Sequence, residues 1–436
     1  MTVTAPWTLT TIIDAALDGD PQHALDRWAL SGAMHLTGAA DGPPLAGSAR
    51  AALAMDALAQ VVEQVSAQLG TTVSVDGAAL LGERAALAGF SRQGSISCGG
   101  GSRLLTTADD VIALSLTRHS DVELLDAWLD EAFNIDPRHD EQATPIDPVA
   151  WASLAALVRQ RPSRALVDRA ALLGLPCARL GEASVQTPLV SVASLEQSVR
   201  AARSFDGLTV VDLSSLWAGP LCANLLSLAG ARVVKVESTS RPDGTRLGPS
   251  DFFDLLHAGH RSVALDFATD LGLQWLRRLL ASADVVIESS RPRALHALGA
   301  SFDHMRTDGW RGVWLSITAH GREEENHMRV GFGDDSAVAG GLLADHHGAP
   351  MFCADAVADP LTGLLGAATV MTALHARTNG LHAISLARTA AQVAAGIRRH
   401  PAIDLAPVTV AQPRARTPAS RAAALGADTD EVLSAL

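Results

Sequence analysis

The feature that most constrains this chain is an alternation beginning at Leu208. Short apolar, β-rich runs, LTVVDL (208–213), ARVVKVE (231–237), RSVALDF (261–267), DVVIES (284–289) and GVWLSI (312–317), are separated by turns and by helical stretches such as 220–230 and 272–283. Runs that stay apolar on consecutive residues suit strands buried on both faces. Joined by crossover helices, they predict an α/β domain with an open, mostly parallel, Rossmann-like sheet. Ligands of such sheets sit beyond the carboxyl ends of the strands, so the loops after Leu213, Glu237 and Ser289 are the first places to look. The first of these reads Trp217-Ala218-Gly219-Pro220 where a dinucleotide fold would carry GxGxxG, which argues against that cofactor class.

The first 190 residues follow another pattern. Residues 49–69 are helical by period, and 122–133 and 165–175 read as amphipathic helices. Cys98-Gly99-Gly100-Gly101-Ser102, with the apolar run 109–116 behind it, predicts two strands joined through a glycine loop. This half is expected to be a smaller α+β domain. The proline-bearing stretch 134–148 reads as a linker, and 183–206 as a second seam. An echo links the halves: Ser31-Gly32-Ala33 through Asp41-Gly42-Pro43-Pro44 and the helix behind it resemble Ala339-Gly340-Gly341 through Gly348-Ala349-Pro350 and the helix after that.

Composition removes several function classes. With Lys+Arg 34 against Asp+Glu 47, the formal charge is −13, so neither a nucleic acid nor a polybasic membrane contact is expected. Lys235 is the only lysine, which leaves arginine to supply the positive charge. The four cysteines, Cys98, Cys177, Cys222 and Cys353, form no CxxC pair. No metal site or disulfide framework is therefore expected, and free thiols suit a reducing cytoplasm. The N-terminal stretch lacks the basic and apolar regions of a signal peptide, and no uninterrupted apolar run reaches the ~18 residues of a membrane span. The expectation is a soluble, cytoplasmic protein.

The sharpest local motif is Ala358-Asp359-Pro360-Leu361-Thr362-Gly363, which opens an apolar helix. Two readings stand side by side. Asp359 caps the helix, with Pro360 at its first position. Alternatively, its carboxylate is kept ionised by the helix dipole and attacks an acyl carbon.

The run VVDLSSLWAGPLCANLLSLAGARVVKVE, followed by RPDGTR, HAGHRSVALDF, ADVVIESSRPRAL and ADPLTGLLGAATVMTAL, resembles the family III CoA-transferases, the group of formyl-CoA transferase and carnitine CoA-transferase. The match is continuous over roughly 207–386 and returns in RAAALGADTDEVLSAL (421–436). The resemblance implies the family III CoA-transferase fold, with Asp359 as nucleophile; Asp355 is the alternative but lacks the Thr-Gly that follows. It implies transfer of coenzyme A between an acyl-CoA and a carboxylic acid through an aspartyl mixed anhydride and an aspartyl-CoA thioester. Coenzyme A is then a substrate, and no permanently bound cofactor or metal is needed. Gly99, Gly100 and Gly101 resemble the glycine loop that shields the intermediate, placed here before the α/β part rather than after it. Trp217, Ala218, Gly219, Pro220, Arg246, His260, Arg261 and Arg291 fall on positions expected to meet coenzyme A, with Arg293 adding charge. His260 stands where the family usually has lysine.

The domain order therefore reads as rearranged or partly duplicated: a degenerate, helical family fragment (1–75), a small α+β domain with the glycine loop (76–190), the Rossmann-like domain with the nucleophile (207–386), and a tail packed on it (387–436). In the early echo the place of Asp359 falls at Leu53 or Ala54. The resemblance implies an interlocked homodimer, with a heteromer formed with a paralogue as the other arrangement. Two further functions are weighed. An α-methylacyl-CoA racemase-like isomerase meets Phe332 where that branch has histidine, and a non-catalytic CoA-binding partner is favoured by the rearranged order. Asp334 and Asp335 read as loop or cap carboxylates, His320 as an exposed loop histidine, and 321–327 as a solvated charged loop.

Overall fold

The computed structural model describes residues 5, 8–133, 147–185, 188–197, 204–399 and 407–436. Most of the linker read at 134–148 lies outside them.

Three short strands, β1 (Ser102–Thr106), β2 (Val111–Ser115) and β3 (Cys177–Arg179), form an antiparallel sheet in that order. One face is covered by the helices Pro148–Val158 and Ser163–Leu173, whose Trp151, Leu154 and Leu166 pack with Leu105, Ile112 and Leu114. The other face lies on the helix Gly333–Gly340, where Ala113 meets Val338 and Ala178 meets Ala339. The glycine run precedes β1 instead of joining it to β2; that join is the Thr107–Asp110 turn. The stretch 122–133 holds the short helix Leu125–Leu129 instead of a long one.

The large sheet contains β4 (Ser191–Gln197), β5 (Thr209–Asp212), β6 (Arg232–Ser238), β7 (Arg261–Leu265), β8 (Val285–Glu288), β9 (Val313–Thr318) and, after the hairpin β10 (Ala344–His346) and β11 (Ala349–Met351), β12 (Thr378–Ser385). Its order is β4-β12-β9-β8-β5-β6-β7, parallel throughout except for the β4 edge. The all-apolar strands read from the sequence are thus parallel and covered on both faces. The edge strand β4 falls in the stretch read as a seam, whose polar residues carry no alternating signal. The chain order reverses between β5 and β8, so the strand-end crevice lies between the loops after Asp212 and Glu288.

The helix Ala358–His375 runs through the middle of the molecule, buried along nearly its whole length. The large sheet lies on one side. On the other lie the helices Leu9–Leu17, Pro21–Leu30 and Arg50–Gln68, whose Ile13, Trp28, Met55 and Val62 share one core with Leu361, Leu364 and Val370. An all-round apolar helix needs cover on every side, and the first 75 residues supply half of it. The two echoing segments touch: a side chain at Gly47 would meet Ala344 Cα at 3.1 Å. At the far edge, the C-terminal segment closes β7. Ser262 N donates to Asp428 and Ala264 N to Thr429 Oγ1, which blunts an otherwise open strand.

Candidate active site

Asp359 stands in the first turn of the helix Ala358–His375, whose capping position is Val357. Its carboxylate makes no capping bond and accepts no hydrogen bond from the described residues. The capping reading therefore has no bond to rest on. The Thr-Gly that follows has a packing reason. A side chain at Gly363 would come within 2.6 Å of Ala218 O, so only glycine lets this helix cross the helix Ala218–Leu228 so closely. Gly219 is tight for another reason: a Cβ there would collide with the Ser214 hydroxyl in the loop before its own helix. The two motifs meet through Gly363 and Ala218.

The turn before the helix is strained. Ala354 (φ 53°) and Ala356 (φ 43°) flank Asp355 in the left-handed region, where each non-glycine residue costs about 1–2 kcal/mol. Surrounding bonds hold the turn in place. Ala354 N donates to Thr37 Oγ1 (2.9 Å), Ala356 N to Asp334 Oδ1 (3.1 Å) and Asp359 N to Ala356 O (2.8 Å). Cys98 Sγ donates to Ala354 O at 3.2 Å, tying the start of the glycine loop to the same turn. Gly333 lies against it so closely that a Cβ would stand 2.5 Å from both Ala356 O and Asp359 Oδ2.

Four acids converge here: Asp334 and Asp335 from the helix Gly333–Gly340, Asp355, and Asp359. Burial pushes the Asp359 carboxyl up to about 7; Arg84 opposes this, and the other three acids add to it. Burial likewise lifts Asp335 to about 7 and Asp334 to about 6. Asp335 accepts from Phe332 N (2.9 Å) and Ser115 Oγ (2.8 Å), so the small sheet is bonded into the acid cluster. Against these acids stands Arg84 of the helix Glu83–Ala88, which donates Nε (2.9 Å) and Nη2 (2.5 Å) to the fully buried Asp355. Its guanidinium lies 5.3 Å from the Trp217 ring and 5.8 Å from Phe90. The glycine loop closes over this group: a side chain at Gly99 would meet Phe90 at 3.5 Å and Arg84 Nη2 at 3.9 Å. Gly100 has φ 77°, and a Cβ on Gly101 would strike Thr117 at 2.7 Å.

The residues expected to meet coenzyme A separate into two groups. Trp217, Ala218, Gly219 and Pro220 lie at the tight crossing, with Trp217 only 1% exposed. Arg291 caps the helix Pro292–Ala297 at the strand-end crevice. Burial, then Arg293, Arg118 and Arg241, hold its pKa below the usual arginine range, so four guanidinium groups gather there in an acidic protein. The other basic residues have partners already. Arg246 is paired with Glu237 (2.6 Å) and lies 4.3 Å from the Phe253 ring. Arg261 is paired with Asp428 and Glu431 of the C-terminal segment. His260 is buried against His257; burial and then Lys235 push it down to about 3, so it carries no charge at neutral pH. His320 is also buried rather than exposed, and the 321–327 loop is bonded in through Arg322 to Glu288 and Glu323 to Arg388.

Residues 205–397 match the family model described as CoA-transferase family III. This part of the chain is similar to that family. The family III segment is 29% identical over 203 residues to an acyl-CoA transferase of Fusarium pseudograminearum, covering 42% of this chain and 44% of that one. It is 30% identical over 193 residues to a succinate–glutarate CoA-transferase of Agrobacterium fabrum, covering 40% and 48%. A crystal structure of a hypothetical protein from Mycobacterium tuberculosis is 27% identical, with a TM-score of 0.42 over 44% of this chain and 58% of that one. The chain spans less than half the length of the curated relatives it matches. Arg84, Phe90 and the glycine loop all lie outside the matched segment.

Arg84 is the residue that sequence reasoning missed. It sits in a short helix with no motif, and nothing in its neighbours marks a partner 271 residues away. Asp334 and Asp335 were visible as a pair, but only the fold turns them toward Asp359.

Proposed function

We propose that the chain transfers coenzyme A between an acyl-CoA and a carboxylic acid, with Asp359 as the covalent station. An Asp359 oxygen attacks the thioester carbon; the carbon–sulfur bond breaks, giving an aspartyl mixed anhydride and CoA thiolate. The thiolate attacks the aspartyl carbonyl, releasing the first acid and leaving an aspartyl-CoA thioester. The acceptor carboxylate attacks that thioester to form a second anhydride, and the returning thiolate takes the new acyl group. Every step exchanges one activated acyl link for another, so the cycle needs no external energy source. Water must be kept from the anhydrides, a role for the glycine loop that the closeness of Gly99 to Phe90 and Arg84 supports.

The observation that carries this reading is the state of Asp359: a half-buried carboxyl in the first turn of its helix, with no hydrogen bond to a described residue. The phosphates of coenzyme A are assigned to Arg291, Arg293 and Arg241, whose charges gather near the crevice, whereas Arg246 and Arg261 are already paired with acids. The isomerase alternative finds no base at Phe332, whose ring lies 5.6 Å from the Arg118 guanidinium.

The test is incubation with succinyl-CoA and glutarate, reactants drawn from the relatives' names, then hydroxylamine trapping and peptide mapping. The expected result is a hydroxamate at Asp359 and CoA exchange, both lost in Asp359→Asn. Exchange by that variant at the parental rate ends the proposal.

A further inference from the structure

We propose that Arg84 is a positioning residue for Asp359: anchored on Asp355, with the Trp217 and Phe90 rings beside it, it supplies the positive charge that lets one acid among four stand as a carboxylate. This rests on Asp359 being the attacking group. The argument begins with the count of charges. Asp334, Asp335 and Asp355 all bear on Asp359, from the helix Gly333–Gly340 and from the turn before its own helix. Cys98 and Cys353, buried beside them, are held as neutral thiols by burial. Arg84, on the helix Glu83–Ala88, is the cation that acts most strongly on Asp359.

An attacking carboxylate must be ionised yet uncommitted. A guanidinium bonded directly to Asp359 would block its oxygens, and no cation at all would leave it protonated. Arg84 meets both needs by giving its Nε and Nη2 to Asp355 while its charge still reaches Asp359. The bidentate pair fixes the guanidinium plane, and the Trp217 and Phe90 rings lie 5.3 and 5.8 Å from it. The strained Ala354 and Ala356 then acquire a purpose, since they bring Asp355 out of the chain path to serve as the anchor. The device spans the molecule: Arg84 comes from the first part of the chain, outside the family segment, and Asp355 from within it.

The experiment is a pH titration of the full-length protein labelled with 13C at the aspartate carboxyls, with the Asp359 resonance assigned by its absence in Asp359→Asn. Removing Arg84 alone would orphan the buried Asp355 and threaten folding, so the decisive pair is Asp355→Asn and the double variant Asp355→Asn/Arg84→Gln. Asp355→Asn is expected to lower the Asp359 midpoint, because an acid is lost and the guanidinium is no longer neutralised. The double variant is expected to raise it by about one pH unit or more above the single, and Arg84→Lys to leave it near the parent. Equal midpoints in the single and the double variant, both folded by circular dichroism, overturn the proposal. Should the double variant not fold, a midpoint in Asp355→Asn at or above the parent's overturns it. No acyl-CoA enters this measurement. Failure here leaves transfer through Asp359 standing, and a missing acyl-enzyme leaves this titration standing.

Discussion

Two buried charge clusters lie at neighbouring corners of this molecule, and they are built to opposite ends. Around Lys235, itself 1% exposed, the cation is held by direct bonds, and among these acids only Asp212 Oδ2 lacks a hydrogen bond among the described residues. Its ammonium donates to Asp243 (2.9 Å) and to Ser214 O, with Asp212 at 3.7 Å; Asp243 N donates to Glu237, which pairs with Arg246. Burial alone would strip the lysine of its proton, but Asp212 and Asp243 more than offset this and raise its pKa. Around Asp359, four acids share one guanidinium, two alanines are left-handed, and the central carboxylate accepts no bond from a described residue. The first cluster locks the loops after β5 and β6, including the left-handed Leu216, whose N–H donates to Asp243. Both hold left-handed residues, but only the second leaves its central charge without a bonded partner among the described residues. A satisfied network makes scaffold, and a deficient one makes a reactive group.

The largest effect should come from breaking the satisfied cluster. Lys235→Met leaves Asp212 and Asp243 buried without their cation and is expected to destabilise the fold by about 3–5 kcal/mol, read as a lower urea midpoint. If the variant melts with the parent, the network is not scaffold and the comparison fails. Next comes Gly333→Ala. Its methyl would need the space of Asp359 Oδ2 and Ala356 O, both 2.5 Å away. Moving the acid by about 1 Å should cut CoA exchange roughly 100-fold, with a much smaller change in stability. An equal loss in both would mean that the turn is structural only.

How much of this was legible beforehand differs between the clusters. Lys235, Glu237 and Asp243 lie within nine residues, on a strand and its loop, so the sequence placed them together, though it cast Arg246 as a ligand for coenzyme A rather than as partner to Glu237. The parallel sheet was readable because strands buried on both faces must be apolar at consecutive positions. The strand β4 was not, because an edge strand tolerates polar residues and its pairing with β12 is decided by tertiary contact. Asp359 was readable as a helix start, but its freedom from a cap was not, since capping depends on a shift of a single position. The anchor of Arg84 was beyond reach, because no local pattern records a contact between residues 84 and 355.

The deficient cluster also predicts a pH signature. Asp334, Asp335 and Asp359 all have folded pKa values raised above those of the unfolded chain. Each holds its proton in the folded state after the unfolded chain has released it, so stability declines as pH rises from about 4 to about 7 through these groups. Asp359→Asn removes one of them. The variant should melt above the parent at pH 8, by more than about 3 °C, with a gap that narrows toward pH 5. A gap that is constant with pH would mean that Asp359 is not held protonated by its surroundings.

The smallest effect separates pairing from burial. Arg261 is bonded to Asp428 and Glu431 as thoroughly as Lys235 is to its acids, yet its side chain is 45% exposed. Water solvates its partners when it is gone, so Arg261→Ala should barely move the melting temperature. Asp428→Ala should cost more, because Ser262 N then loses its acceptor and the C-terminal segment loses a bond to β7. Thermal melts of the two variants give the order. If Arg261→Ala proves as damaging as Lys235→Met, ion pairing rather than burial governs both sites, and the contrast between the two clusters loses its physical basis.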